Sequence, residues 1–238
     1  GYIVNHFLRI WDFASTQRAD FLIANSQETR KRIEKFYRRD SIVIYPPVDI
    51  LKKTTTYKLQ PTTYFLTVSR LARAKHIDIL IKAANKSKFK LKIVGGGRDE
   101  ERLKQLAGPT VEFLGNLTDK ELKKIYLNAK AFLFASRDEE FGIAVVEAMG
   151  YGLPVIAYRS GGLPEYVVDG KNGYLFGKLE VNSLIDKVNE LMSLTSSRYI
   201  EMRKEARKTA KRFSEESFRT QILHFINKVR PYLRTDLK

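Results

Sequence analysis

Apolar positions along this chain follow two alternating periods. Short runs such as YFLTVS (64–69), KLKIVG (90–95), VEFLG (111–115), AFLFAS (131–136), PVIAY (154–158) and GYLF (173–176) are rich in β-branched and aromatic residues. Near-continuous runs of this length read as strands covered on both faces. Between them lie longer segments with apolar residues at helical spacing: 76–86, 98–107, 119–129, 142–152, 163–169 and 181–193, with two more helices expected near 197–212 and 215–230. Strands alternating with helices predict an α/β fold, a Rossmann-like parallel sheet with helices on both faces. The first part of the chain shows the same alternation on a smaller scale. The first residues read as an amphipathic helix with Phe7, Ile10, Trp11 and Ala14 on one face. DFLIANS (20–26) reads as a strand, QETRKRIEKFYRR (27–39) as a charged helix, and SIVIYPPVD (41–49) as a strand stopped by Pro46 and Pro47. Residues 50–61 lack either period and read as a linker.

Composition narrows the partners more than the fold. The 238 residues suffice for one large domain or two modest ones, and an apolar content of 43% is ordinary for a globular chain. No run of eighteen apolar residues free of charge is present, and the first residues lack the layout of a signal peptide. The absence of cysteine excludes disulfides and thiolate metal sites and fits a cytoplasmic location. The three histidines have no metal-ligand spacing, so no metal is expected. A formal net charge of +16 favours polyanions. Residues 198–238 hold twelve Lys or Arg against five Asp or Glu, and residues 27–40 hold six against three. Such stretches read as solvated helical surface, as a face toward an anionic membrane, or as a nucleic-acid surface. Nucleic acid is the least favoured, for no zinc-finger spacing, RNA-recognition motif or basic zipper accompanies them.

In a parallel α/β sheet, ligands bind outside the carboxyl ends of the strands. The residues directly after each predicted strand are Ser69-Arg70, Gly95 to Gly97, Gly115-Asn116, Ser136 to Gly142 and Ser160 to Gly162. One rim therefore collects glycines, hydroxyls, a cation and an acidic cluster. Each glycine loop taken singly is explained by a tight turn; five on one rim point to a cleft. Arg70 and Lys75 lie at the entrance to a helix, where two cations suit a diphosphate, and Arg73 stands between them as a competitor. Asp138, Glu139 and Glu140 precede a helix expected to begin near Gly142. A carboxylate before a helix start complements the helix dipole, which accounts for Asp138 or Glu140. It does not account for Glu147, whose helix is otherwise apolar on all sides. That side chain must be paired or face a polar cleft, and a carboxylate there fits the adjacent hydroxyls of a ribose.

EEFGIAVVEAMGYGLPVIA resembles the signature of glycosyltransferase family 4, retaining transferases of the two-domain GT-B fold: Glu, seven residues, Glu, with Phe-Gly inside and Gly and Pro-Val after. VSRLARAKHIDILIKA is similar to that family's phosphate segment. FLGNLTDKELKKIYLNAKAFLFAS is similar to its base-binding turn and following strand, and SGGLPEYVVDGKNGYLF to the segment after the signature. The likeness covers residues 62–225. It implies that Glu139 is the catalytic-site carboxylate, holding hydroxyls of the donor sugar, and that Arg70 and Lys75 hold the diphosphate. It further implies that Gly115, Asn116 and Leu117 lie by the base, that Phe141, Gly142 and Ile143 offer backbone amides, and that Glu147 holds the ribose. Glu140 stands where the family more often has a small residue.

The resemblance also orders the chain. Residues 1–49 would be the tail of an N-terminal acceptor domain, in forms similar to mannosyltransferases, and 62–213 the donor-binding domain. Residues 214–238 would form a helix crossing back toward the first domain. The implied protein is a hexosyltransferase using a nucleotide-diphosphate sugar, GDP-mannose favoured, as donor substrate, without metal or other cofactor. Its acceptor would be a glycan or a lipid-linked glycan, and its setting the cytoplasm, peripheral at the inner face of a membrane. A chain holding so little of the acceptor domain would be inactive alone. A nucleotide-sugar-binding module without transferase activity and a basic nucleic-acid-binding protein are the alternatives.

Overall fold

The computed structural model describes residues 1–50 and 64–232. The expected linker lies, from residue 51 onward, outside the described residues. The chain divides into two compact units, one made of Gly1–Pro47 with Glu215–Lys238 and the other of Val48–Ser214.

The first unit holds helix α1 (Tyr2–Thr16), strand β1 (Ile23–Ala24), helix α2 (Gln27–Tyr37), strand β2 (Ile42–Val43) and the late helix α9 (Glu215–Val229). β1 and β2 pair in parallel, Ile23 with Ile42 and Ala24 with Val43. The two strands are much shorter than the apolar runs that announced them. Ser26 already caps α2, accepting the Thr29 amide at 3.0 Å, and Pro46 and Pro47 have no amide to give. Tyr37 ties α2 to α1 by donating to Asp12 Oδ2 at 2.6 Å. Phe21 meets Phe225 of α9 edge to face. α1 buries none of its residues, and the apolar face expected of it lies open, with Phe7 66% and Trp11 69% exposed.

The second unit is a six-stranded, all-parallel sheet. Its strands are β3 (Tyr64–Val68), β4 (Lys90–Val94), β5 (Val111–Gly115), β6 (Phe132–Phe134), β7 (Val155–Tyr158) and β8 (Gly173–Phe176), in the spatial order β5-β4-β3-β6-β7-β8. The register runs from Tyr64 opposite Lys90 to Val68 opposite Val94, and Leu66 faces Phe132 across the centre. The helices are α3 (Ile77–Ser87), α4 (Glu100–Leu106), α5 (Asp119–Asn128), α6 (Ile143–Gly150), α7 (Val181–Met192) and α8 (Ser196–Lys211).

Alternation along each strand divides the side chains between two faces. Phe65, Leu91, Ile93, Leu133 and Ile156 form one core with the apolar sides of α3 and α7. On the opposite face Phe132 stacks near Phe134 and packs against Tyr126 of α5. The Rossmann-like parallel sheet with helices on both faces is thus as the apolar periods predict.

Residues 163–169, read as a helix, form only a single 3-10 turn, Leu163–Glu165. Asn172 is the reason. Its side chain accepts the Val168 amide at 2.7 Å and donates to the Tyr166 carbonyl at 2.8 Å, claiming the groups a helix would need.

Candidate active site

The chain builds β3, β4 and β5 in one direction, then returns to lay β6 on the other side of β3. The loops after β3 and β6 therefore diverge, and the crevice between diverging loops is where an open α/β sheet takes its ligand. Lys75 comes from the first loop and Glu139 from the second. Lys75 Nζ lies 2.5 Å from Glu139 Oε2, with the two side chains 21% and 20% exposed. Ser136, directly beyond β6 and 2% exposed, donates to the same Oε2 at 2.9 Å. The Lys75 ammonium also stands 5.8 Å from the centre of the Phe134 ring.

Both partners of this pair sit on constrained backbone. His76, after Lys75, has φ 49°, and Asp138, before Glu139, has φ 56°. A non-glycine residue in this region costs on the order of 1–2 kcal/mol, so tertiary contacts must hold it there. At Asp138 those contacts come from the loop after β7. Ser160 Oγ accepts the Asp138 amide at 2.9 Å, and the Gly162 amide donates to the Glu139 carbonyl at 2.8 Å. Gly161 lies so close that a Cβ would fall 1.9 Å from the Glu139 carbonyl oxygen, and its own φ is 62°. That loop admits only glycine there, and it turns Glu139 inward while Glu140 is exposed.

α6 starts where the sequence places it. Gly142 caps it with φ 84°, and the first amides of any helix have no intrahelical acceptor. Phe141 is fixed behind them. The fully buried Tyr166 hydroxyl donates to the Phe141 carbonyl, and Phe141, Tyr166 and Phe213 form an aromatic trio with centroids 5.2–5.6 Å apart. Burial first, and Glu139 next, push the Tyr166 phenol well above its usual value, so it remains a neutral donor. Ile143, at the helix start, is half exposed.

Glu147 lies one turn into α6. Tyr126 Oη donates to its Oε2 at 3.3 Å, and Tyr126 stacks on Tyr151 with centroids 4.7 Å apart. Burial raises the Glu147 carboxyl above its ordinary value, the Tyr126 hydrogen bond opposes that, and Asp49 and Asp119 reinforce it. Asp119 follows the turn of Gly115, Asn116 and Leu117, where the β4–β5 register shifts and Gly115 takes φ 64°. Asn116 is exposed and Leu117 half-buried. The Glu147 carboxylate thus lies within electrostatic reach of Asp119, at the start of α5.

Of the three cations after β3, Arg73 is drawn to Asp99 at 3.7 Å, and Asp99 is itself gripped by both Arg102 Nε and Nη2. Arg70 is exposed, and among the described residues its side chain makes no hydrogen bond or ion pair. Of the glycines after β4, Gly95 and Gly97 are required by packing, a Cβ at Gly97 falling 2.2 Å from the Leu71 carbonyl oxygen, whereas one at Gly96 would approach no atom closer than 3.6 Å. A Cβ at Gly95 would fall 2.2 Å from the Ser69 carbonyl oxygen. Nothing in the sequence singles out Ser136, Ser160 or Tyr126 individually. The two serines were visible only as rim residues, and Tyr126 only as one apolar position in a charged helix. Among the described residues no three His, Cys, Asp or Glu side chains form a group able to hold a metal.

A parallel sheet wound both ways from a central switch, with its charged crevice there, is the architecture of a GT-B glycosyltransferase half. Solved structures agree. Anabaena HepE with UDP and glucose aligns at TM-score 0.75 and 26% identity, over 88% of this chain and 63% of that one. A sucrose-phosphate synthase of Thermosynechococcus elongatus shares the fold at TM-score 0.82 and 20% identity, over 94% and 62%.

Residues 53–213 match the family described as glycosyl transferases group 1, and the chain belongs to that family. It is 30% identical over 206 residues to an uncharacterized glycosyltransferase of Methanocaldococcus jannaschii, covering 85% of this chain and 56% of that protein. To the mouse GDP-Man:Man(3)GlcNAc(2)-PP-Dol alpha-1,2-mannosyltransferase it is 27% identical over 240 residues, covering 89% and 49%. The chain thus spans about half the length of these two relatives.

Proposed function

We propose that this chain carries the donor site of a retaining hexosyltransferase that takes a nucleotide-diphosphate sugar, with GDP-mannose favoured, and passes the hexose to a glycan or lipid-linked acceptor. The observation that carries this reading is the Lys75–Glu139 pair at the β3/β6 switch point, with Glu147 farther along the same rim. Arg70 and Lys75 would take the diphosphate, the amides at Phe141, Gly142 and Ile143 would face sugar or phosphate, Glu139 would hold sugar hydroxyls, and Glu147 the ribose. The mouse relative, whose name specifies a GDP-mannose donor and a dolichol-linked acceptor, supports the choice of sugar and acceptor.

The deciding experiment is a thermal-shift and calorimetric screen with GDP, UDP, ADP and their hexoses, since a ligand that binds only the folded state raises its stability. One nucleotide family is expected to bind and raise the midpoint; no binding by any of them overturns the reading. The same chain is expected to yield no glycosylated product with donor and candidate acceptors, because holding an acceptor in reacting geometry supplies about 7–11 kcal/mol of barrier lowering and the donor site alone does not do this. Robust transfer by residues 1–238 would contradict that. For a lipid-linked acceptor, the basic helix α2 and the basic C-terminal stretch would face anionic lipid. Vesicle recovery should then rise with anionic lipid and fall with salt, and equal recovery on neutral vesicles refutes this part.

A further inference from the structure

Among the described residues the Glu139 carboxylate takes two donors, both on one oxygen. Lys75 Nζ and Ser136 Oγ each reach Oε2, at 2.5 and 2.9 Å. The two donors differ in what a ligand does to them. Lys75 is a cation at the end of the 3-10 turn Arg73–Lys75, its side chain 21% exposed, and an incoming diphosphate competes for its charge. Ser136 is buried at the end of β6, among Ala131 to Ala135, all 3% exposed or less. It lies two residues beyond the central strand β6 and is itself 2% exposed. When Lys75 turns toward phosphate, Ser136 is the donor that stays.

The geometry points to Ser136 as a positioning residue for Glu139: it anchors Oε2 so that Oε1 is presented to the transferred group of a nucleotide-diphosphate sugar. This assignment rests on the nucleotide-sugar reading above and adds to it a residue that acts through Glu139. A carboxylate anchored at one oxygen holds the other within a narrow arc. A carboxylate without the anchor, once Lys75 has left it, spreads over its rotamers and must be ordered again by the ligand. Removing the anchor should therefore weaken recognition of the sugar and leave recognition of the diphosphate, which Arg70 and Lys75 supply, nearly as it was.

The test is calorimetry on the 238-residue chain with two ligand pairs, GDP with GDP-mannose and UDP with UDP-N-acetylglucosamine, using the pair that the unmodified chain binds. The quantity read is the ratio of diphosphate Kd to nucleotide-sugar Kd. Ser136→Ala should shrink the ratio by about 5- to 10-fold, the usual net effect of one hydrogen bond, while the diphosphate Kd changes by less than about twofold. Ser136→Thr, which keeps the hydroxyl, should restore the ratio. If the alanine variant does not fold, Ser136→Cys, of similar volume and weak as a donor, carries the same expectation. An unchanged ratio in Ser136→Ala, or an equal loss for both ligands, overturns the assignment alone, as does an unmodified chain that gains nothing from the sugar. If the unmodified chain binds none of the four, the same ratio is read with ADP and ADP-glucose, and binding of none of the six overturns the nucleotide-sugar reading and this assignment with it.

Discussion

Glu139 stands beside a cation, and Glu147 stands beside anions. Seven residues separate them, and both turn toward the rim of one sheet. Glu139 is paired with Lys75 and anchored by Ser136. Glu147 is desolvated, lightly bonded by Tyr126 at 3.3 Å, and raised further by Asp49 and Asp119. One end of the crevice has thus already satisfied its carboxylate from within the protein, and a ligand arriving there must break a contact before making one. The other end holds a carboxylate that is poorly satisfied, where adjacent hydroxyls of a ligand would relieve the desolvation.

That contrast can be broken most forcefully at the cation. Lys75→Ala should weaken nucleoside-diphosphate binding by roughly 10- to 100-fold, the usual worth of a hydrogen bond to a charged group; an unchanged Kd by calorimetry removes Lys75 from the site. At the other end, Glu147→Ala should cost about 1–3 kcal/mol of nucleotide binding. Its effect should fall mainly on ligands with both ribose hydroxyls, so a deoxyribose nucleotide that suffers equally would count against a ribose contact.

The sign of the change is the finest distinction between the two acids. Glu139→Gln should tighten diphosphate binding by about 2- to 5-fold, because it releases Lys75 from a partly buried pair. The matching Glu147→Gln change should weaken binding, and two changes of the same sign would erase the contrast.

Stability should respond to Glu147 with pH. Its folded-state carboxyl is raised above the unfolded value, so its contribution is fully present below about pH 4.5, the ordinary value, and is lost as pH rises through the raised one. Glu147→Gln is therefore expected to raise the thermal midpoint at pH 7 and to leave it level with the unmodified chain near pH 4. An equal gain at both values would mean that ionisation is not its cause. The smallest effect belongs to Tyr126→Phe, about 0.5 kcal/mol of nucleotide affinity, since its bond to Glu147 is long. A loss as large as that of Glu147→Ala would show that the phenol touches ligand itself.

Much of this was legible along the chain. The strand and helix alternation, the rim residues after each strand, and the anomaly of a carboxylate on an apolar helix all depend on neighbours a few residues apart. A period of two or of 3.6 residues writes them directly into the order of amino acids. Gly142 and the start of α6 belong with these local features, as do Thr118 and Glu121, whose reciprocal capping bonds open α5.

Other choices depended on segments far apart in the sequence. That Glu139 turns inward while Glu140 is exposed is decided by the loop of Ser160, Gly161 and Gly162, which presses on the backbone from the end of another strand. Arg73 is set apart from its neighbours Arg70 and Lys75 by Asp99, which belongs to the segment after β4. The glycine at 95, read as part of a ligand cradle, is there because Ser69 leaves no room for a Cβ. The turn at 163–165 stays short because Asn172 reaches back to claim its amide and carbonyl. Local order thus determined which elements form and which residues can reach the rim. Only packing between distant strands decided which way each of those side chains points and which partner it keeps, because orientation at a loop is set by what closes over it.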